Sequence, residues 1–421
     1  MSVRIVEAPE NWFTSPVAIV RSDDGADALV RPGELLVEAA AEPHLASHLE
    51  SAGGRRYEQS QSSWRNRVGM PDSGDLNARL EAAGTEMRLW EGVSEYSTFV
   101  SDERRPGLRY HHVLCGENFY HGGPGGTPVA VGGPPAALLA VEPATDGLND
   151  IAVLDNGLPE GWESLPGQLG PVLTRRGIEV IPGDPVDADG DGIADRQAGH
   201  GLFISGLITR VSALLDILLR RVLNSSGEGD EAIIAATLSE LVATDVKVVN
   251  LSLGAYTVDN EVPALLAAAV QQLVAAGKIV VAAAGNAGDS PELVTRPFWP
   301  ASLPGVVAVG AFDHTQNPPK PWFKSNVADV YAPGVDVQST FIKWPLADGS
   351  EFDGWARWSG TSFAAPLVAA SICDRLMRNP TTPAAQVLQE WLQNQPQEPT
   401  WPTLRGGPAL RHDVANDLIR W

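Results

Sequence analysis

From Asp150 onward the chain falls into repeated blocks: a short unbroken apolar run, a loop, then an amphipathic stretch. Ile151-Ala-Val-Leu154, Leu215 to Leu223, Val246 to Leu251 and Ile279 to Ala284 read as strands. Their apolar positions do not alternate with polar ones, as expected for strands covered on both faces. Glu231 to Val242 and Ala264 to Ala276 read as helices between the later strands. Strand and helix therefore alternate as in an α/β fold with a doubly wound parallel sheet. Sheets of that kind bind ligands at the carboxyl ends of their strands, so the loops there are where chemistry is sought.

The pattern upstream is different. Glu34-Leu-Leu-Val-Glu38, Met87-Arg-Leu-Trp90 and Tyr96-Ser-Thr-Phe-Val100 read as strands. Pro43 opens a helix carrying Leu45 and Leu49, ended by Gly53-Gly54, and Leu76 with Leu80 marks a second one before Gly84. These elements predict a small α+β domain over residues 1–121. Gly122-Gly-Pro-Gly-Gly126 and Gly132-Gly-Pro-Pro135 predict a linker over 122–148. The main domain then spans 149–380, and an extension over 381–421 is expected to pack on it through Trp391, Trp401 and Trp421. No internal repeat is visible.

A length of 421 residues accommodates two or three domains. Thirty basic against 52 acidic residues give a net charge of -22, which repels polyanions and excludes nucleic acid and anionic membrane as partners. The longest apolar run, Val262 to Gly277, contains Gln271 and Gln272 and stops at Lys278, short of the roughly 20 residues a bilayer span needs. The opening MSVRIVEAPENWF carries Glu7 and Glu10 where a secretory signal is apolar, so a cytoplasmic location is expected. Cys115 and Cys373 lie far apart without metal-like spacing and are expected to be free thiols in a reducing compartment. His111, His112, Cys115 and His121 match no structural zinc spacing and are read as ordinary strand and loop residues.

Three segments carry candidate chemistry. Asp155 follows the strand IAVL and precedes Asn156-Gly157, which places a carboxylate at a strand's carboxyl end, though D-x-G is also ordinary turn chemistry. His200 lies in AGHGLFISGLI at the start of an apolar helix, a setting that structural histidines share. Ser362 lies in WSGTSFAAPLVAA, where Gly360 permits a sharp turn and small residues open a helix. A serine there sits among free backbone N–H groups and the positive end of the helix dipole, which favour a developing oxyanion.

In the order Asp, His, Ser these segments resemble the subtilisin-like serine peptidases, the subtilases. VNLSLG at 249–254, VVAAAGN at 280–286, WPASLPGVVAVGA at 299–311 and VYAPGVDVQST at 330–340 share the resemblance, which covers about 149–376. The order itself is the one already associated with subtilisin. The resemblance implies Ser362 as nucleophile, His200 as general base and then acid, Asp155 as the group orienting the imidazole, and Asn286 as oxyanion donor. It implies that Ser252, Leu253 and Gly254 receive an extended peptide backbone. Ala283, Ala284 and Gly285 would line the far side of the primary specificity pocket, and their small size leads us to expect a large apolar substrate side chain there. Leu202, Phe203 and Phe363 stand where the family often has threonine, histidine and methionine, changes that affect packing around the site.

No cofactor is required for such chemistry. DADGDGIAD places Asp187, Asp189, Asp191 and Asp195 at positions 1, 3, 5 and 9 of a calcium-loop pattern, with Ile193 able to add its carbonyl. Position 12 is Ala198, so the bidentate carboxylate is missing, and a structural Ca2+ site stands beside a solvated acidic turn as the two readings.

The expectation is thus a serine endopeptidase acting on peptide or protein substrates through an acyl-enzyme. Two other readings use the same groove: a peptide ligase or cyclase, in which an amine intercepts the acyl-enzyme, and a non-catalytic peptide-binding protein. The amino-terminal domain looks like a prodomain that assists folding and blocks the cleft; the alternative is a retained domain that docks a regulatory protein partner.

Overall fold

Strands whose residues alternate between two apolar layers need helices on both faces, and that requirement organises the molecule. The computed structural model describes residues 4–7, 15–21, 27–58, 75–94, 96–101, 105–116, 127–133, 150–159, 161–162, 184–212, 215–346, 348–405 and 408–413. Most of the Gly/Pro-rich linker, together with His121 and Trp421, lies outside these residues.

In chain order the strands are β1 (Arg4–Glu7), β2 (Ala18–Arg21), β3 (Asp27–Glu38), β4 (Arg55–Arg56), β5 (Met87–Glu91), β6 (Leu108–Cys115), β7 (Val129–Ala130), β8 (Ile151–Asp155), β9 (Ile217–Arg221) and β10 (Glu228–Asp230). They continue with β11 (Val248–Leu251), β12 (Ile279–Ala283), β13 (Val306–Asp313), β14 (Lys320–Pro321), β15 (Val330–Pro333), β16 (Val337–Pro345), β17 (Glu351–Trp358), β18 (Gln397–Glu398) and β19 (Ala409–Arg411). The helices are α1 (Glu42–Ser51), α2 (Leu76–Ala82), α3 (Tyr96–Ser101), α4 (His200–Val211), α5 (Glu231–Glu240), α6 (Ala264–Ala275), α7 (Thr361–Arg378) and α8 (Ala384–Gln393).

Among the described residues the main sheet has nine strands, in the order β18-β19-β15-β13-β12-β11-β8-β9 with β14 on the edge of β13. The run from β15 to β9 is parallel throughout. Ile151 and Val153 point into one apolar layer with α4 and α7, while Ala152 and Leu154 point into the other with α5 and α6. This two-sided burial is why the strand sequences show no polar alternation. The tail contributes two edge strands, and Trp401 packs on Phe312 and Tyr331.

The upstream elements form a second, seven-stranded sheet, β1-β2-β3-β5-β4, with β6 beside β3. Its seventh strand is β10, which belongs to the main chain segment just before α5 and pairs antiparallel with β6. One face of this sheet, through Leu36, Met87, Leu89 and Leu114, joins the apolar layer of α5 and α6. Its other face packs on α1 through Leu45 and Leu49.

Tyr96 to Val100 is a helix, α3, where the sequence pattern predicted a strand. Tyr96 and Phe99 are buried, and their i, i+3 spacing puts both on one helical face against the core. A segment so short shows too few positions for its period to be read from composition.

Candidate active site

Three of the residues singled out in the sequence stand at a strand end or a helix start, and two of them, Asp155 and His200, are in hydrogen-bond contact. Asp155 is the last residue of β8, His200 the first of α4, and Ser362 the second of α7. His200 Nδ1 donates to Asp155 Oδ1 at 2.8 Å, with both side chains fully buried. Asp155 Oδ1 also accepts the Asn156 N–H at 2.9 Å. Asn156 in turn ties the loop to the start of α4: its Oδ1 accepts the Gly201 N–H at 2.7 Å and its Nδ2 donates to the Gln197 carbonyl.

The His200 ring is held in an aromatic box. Trp358 meets it edge-on at 5.5 Å between centroids and Phe363, next to Ser362, lies at 5.3 Å. Phe203 packs on Phe363 at 4.8 Å. Phe203 and Phe363, two of the apolar residues that depart from the family pattern, therefore form part of the wall that fixes the imidazole.

Pro366 lies inside α7 and has no N–H to give to the carbonyl four residues earlier. That carbonyl is Ser362's, and it accepts instead from Ser252 Oγ at 2.8 Å. Ser252 Oγ accepts from Asn250 Nδ2 at 3.0 Å. The helix defect thus fastens the Ser362 segment to the end of β11.

Asn286 is oriented by Thr361. The Thr361 N–H and hydroxyl both donate to Asn286 Oδ1, each at 2.9 Å, and the hydroxyl accepts the Gly285 N–H at 3.1 Å. With its oxygen engaged, the amide presents Nδ2 as the group left for a ligand. Sequence reasoning missed Thr361, Asn156 and Pro366; the visible signals were a hydroxyl beside Ser362, an amide beside Asp155, and a helix proline four residues after Ser362.

The amino-terminal sheet reaches into this site. Cys115, at the end of β6, exchanges both backbone hydrogen bonds with Gly254, at 2.9 and 2.8 Å. Gly116 N–H donates to the Gly227 carbonyl at 3.1 Å, and Ser362 Oγ donates to the Gly116 carbonyl at 3.1 Å. Gly116 lets Gln197 pack closely over this segment, because a Cβ there would collide with Gln197 Oε1 and lie 3.0 Å from its Cδ and Nε2, so the Gln197 amide would have to move. Gly254 thus pairs with a backbone segment supplied by the chain itself.

Ser252, Leu253, Gly254, Ala283, Gly285, Asn286, Thr361 and Ser362 line one small pocket together with Gly116 and Phe298. Ala284 lies instead on a neighbouring cavity. With Gly116 in place the pocket holds about 10 Å³, much less than the large apolar side chain expected there would occupy. Phe298, from the loop before β13, occupies the space that the small residues leave.

In the acidic loop Asp187, Asp189 and Asp195 bring carboxylate oxygens within 4.8 Å of one another. Asp191 is not among them; its carboxylate accepts the Ile193 N–H at 2.7 Å, and the Ile193 side chain is exposed. Asp187 accepts N–H groups from Gly190, Asp191 and Gly192, which shapes the turn. Burial pushes the Asp195 carboxyl above its usual range, against the hydrogen bonds from Ser225 and Ala188, and the charges of Asp189 and Asp187 add to the rise. A hard cation matches such a crowded oxygen set.

His111 and His112 serve the joint between the two sheets. His111 Nδ1 donates to Glu34 Oε2 at 2.8 Å and its Nε2 accepts the Ala232 N–H at the start of α5, while His112 Nδ1 lies 3.4 Å from Glu231 Oε2. Cys115 and Cys373 are both buried. Among the described residues no helix is long and apolar enough to cross a membrane.

A parallel α/β sheet with helices on both faces, carrying a histidine–aspartate pair and a serine at a helix start, defines a hydrolase-like class of α/β protein. Residues 150–406 match the Subtilase family, and the chain belongs to that family. It is 31% identical over 241 residues to alkaline elastase YaB of Bacillus sp. (strain YaB), a match covering 56% of each chain. It is 32% identical over 222 residues to Subtilisin DY of Bacillus licheniformis, covering 50% of this chain and 73% of that one. The matched region therefore spans little more than half of the elastase. A solved lanthipeptide protease shares the fold, with a TM-score of 0.50 and 22% identity over 65% of this chain and 88% of that one.

Proposed function

We propose that the chain is a serine endopeptidase. Ser362 Oγ attacks the peptide carbonyl and His200 Nε2 takes its proton; Asp155, bonded to Nδ1, holds the imidazole and stabilises the imidazolium. The oxyanion is received by Asn286 Nδ2 and the Ser362 N–H. His200 then returns the proton to the leaving amine, and water hydrolyses the acyl-enzyme by the reverse sequence. The observation that carries this reading is the 2.8 Å Asp155–His200 pair beside the first turn of α7, where Ser362 sits.

Residues 1–121 act as a small α+β prodomain-like domain whose last strand fills the cleft, 122–148 as a linker, 149–380 as the peptidase domain and 381–421 as a packed extension. The Ser362 hydroxyl, turned toward Gly116, supports a resting state in which the chain occupies its own site. Asp187, Asp189 and Asp195 would hold a structural Ca2+, which takes no part in the chemistry.

The test is intact mass after reaction with a fluorophosphonate, wild type beside Ser362→Ala. Wild type is expected to gain one adduct and the variant none, because only an activated serine reacts. A wild type that stays unlabelled, or a variant that labels equally, overturns the proposal.

A further inference from the structure

On the family resemblance, a peptide lying along Ser252-Leu253-Gly254 places the side chain of its reacting residue between that segment and Ala283-Ala284-Gly285. Phe298 already stands in this gap. A Cβ on Gly254 would fall 2.6 Å from Phe298 Cζ, and one on Gly285 would fall 3.0 Å from its Cγ and Cδ1, so the ring touches both walls at once. The remaining volume of about 10 Å³ is on the order of what one water needs.

The ring is held from two sides. Tyr256 packs on it edge-on with centroids 5.1 Å apart, and the Tyr256 hydroxyl accepts from Asn326 Nδ2 at 2.8 Å. The Phe298 backbone is pinned to Ser302, whose hydroxyl accepts the Phe298 N–H at 3.1 Å and whose own N–H donates back to the Phe298 carbonyl at 2.9 Å. Behind the ring lies a second cavity of about 190 Å³, lined by Ala284, Ala301, Ser302 and Arg296 as well as Phe298. Phe298 is the partition between the two spaces.

We propose that Phe298 restricts this cleft to peptides whose reacting residue, the one supplying the scissile carbonyl, is glycine or alanine. The inference rests on the peptidase reading above and names its substrate class. A methyl group needs little more than the space present. A leucine or phenylalanine side chain must drive the ring into the rear cavity, which breaks its contact with Tyr256 while the backbone stays fixed. The rear cavity also determines what truncation does: without the ring the two spaces join, and the pocket becomes deep enough for an aromatic side chain.

The experiment is cleavage by the full chain, as purified, of a peptide library randomised at the reacting residue. Wild type is expected to favour glycine and alanine over leucine and phenylalanine by at least about tenfold in kcat/KM, the scale on which a filled apolar pocket discriminates. Phe298→Ala is expected to reverse that ratio, with Phe298→Leu intermediate should the smaller residue compromise folding. Wild type turning over leucine or phenylalanine peptides as fast as alanine ones overturns the assignment, whatever the variants do. Fluorophosphonate labelling alongside separates the two failures. A protein that does not label loses the peptidase reading itself, whereas one that labels and prefers large residues loses only the role of Phe298.

Discussion

Thr361 shows how much a single hydroxyl decides at this site. Both of its donors converge on Asn286 Oδ1, so the direction of the Asn286 amide is set by a residue 75 positions away in the chain. Thr361→Val keeps the shape and deletes the hydroxyl, leaving one anchor of two. If Asn286 is the oxyanion donor, kcat should fall about tenfold with KM little changed, a part of the 10²–10³ that losing such a donor costs, and Thr361→Ser should restore it. A fall in KM-limited binding alone would assign Thr361 to substrate contact instead. The segments holding Asp155, His200 and Ser362 were legible because each sits in a local turn with its own signature. Thr361 and Phe298 were not, because their roles depend on partners brought in from other strands. Small residues at 283–285 promised an open pocket, and no local pattern reveals a filler arriving from residue 298.

A second residue gives the fold a predictable acid sensitivity. Burial lowers the His412 pKa to about 4; its ring lies against Trp391 and its Nδ1 meets Gln395 Oε1 at 3.0 Å. The folded state prefers the neutral imidazole, so this contribution to stability is complete above the unfolded pKa of about 6.5 and is lost as pH falls toward 4. The full effect is on the order of 3 kcal/mol. Melting temperature followed from pH 7 to pH 4 should drop more steeply in wild type than in His412→Gln. Parallel curves would remove His412 from the explanation.

At the scale of elements, the parallel strands could be read because burial on both faces leaves them continuously apolar. The helices α5 and α6 could be read because they are long enough to show a period, and α3 could not because it is short. The acidic loop falls between these cases. Its aspartates at alternate positions were plain, but which of them converge depends on turn geometry, and the loop uses the Asp191 carboxylate to cap Ile193 instead. If Asp187, Asp189 and Asp195 hold Ca2+ in the folded state, chelation should lower the melting temperature and added Ca2+ should restore it. Asp189→Asn should blunt both responses. A melt indifferent to chelator would leave the loop as a self-capped turn.

For the whole molecule the decisive feature is that one strand serves two purposes. β6 is an inner strand of the amino-terminal sheet, pairs along its far edge with β10, and delivers Cys115 and Gly116 to Gly254 and Ser362. That pairing joins segments distant in sequence, which is why the shared sheet was not legible from local pattern. The joint is fastened by Arg31, buried with Asp230 and donating to Ser15 Oγ at 2.6 Å and the Pro16 carbonyl at 2.9 Å. Arg31 and Glu34 both lie where the β3–β6 register shifts, a local irregularity that turns polar side chains into the joint. Taking the guanidinium away from a buried carboxylate costs about 3–5 kcal/mol, whereas replacing both charges with apolar groups can be nearly neutral. Arg31→Met should therefore loosen the sheet and, because β6 cannot leave the sheet's joint without leaving the cleft, raise the rate at which uncut chain is labelled by a fluorophosphonate. Adding Asp230→Leu should return that rate toward wild type. Labelling of Arg31→Met at the wild-type rate would mean that the cleft opens independently of the sheet, with only residues 115–116 moving.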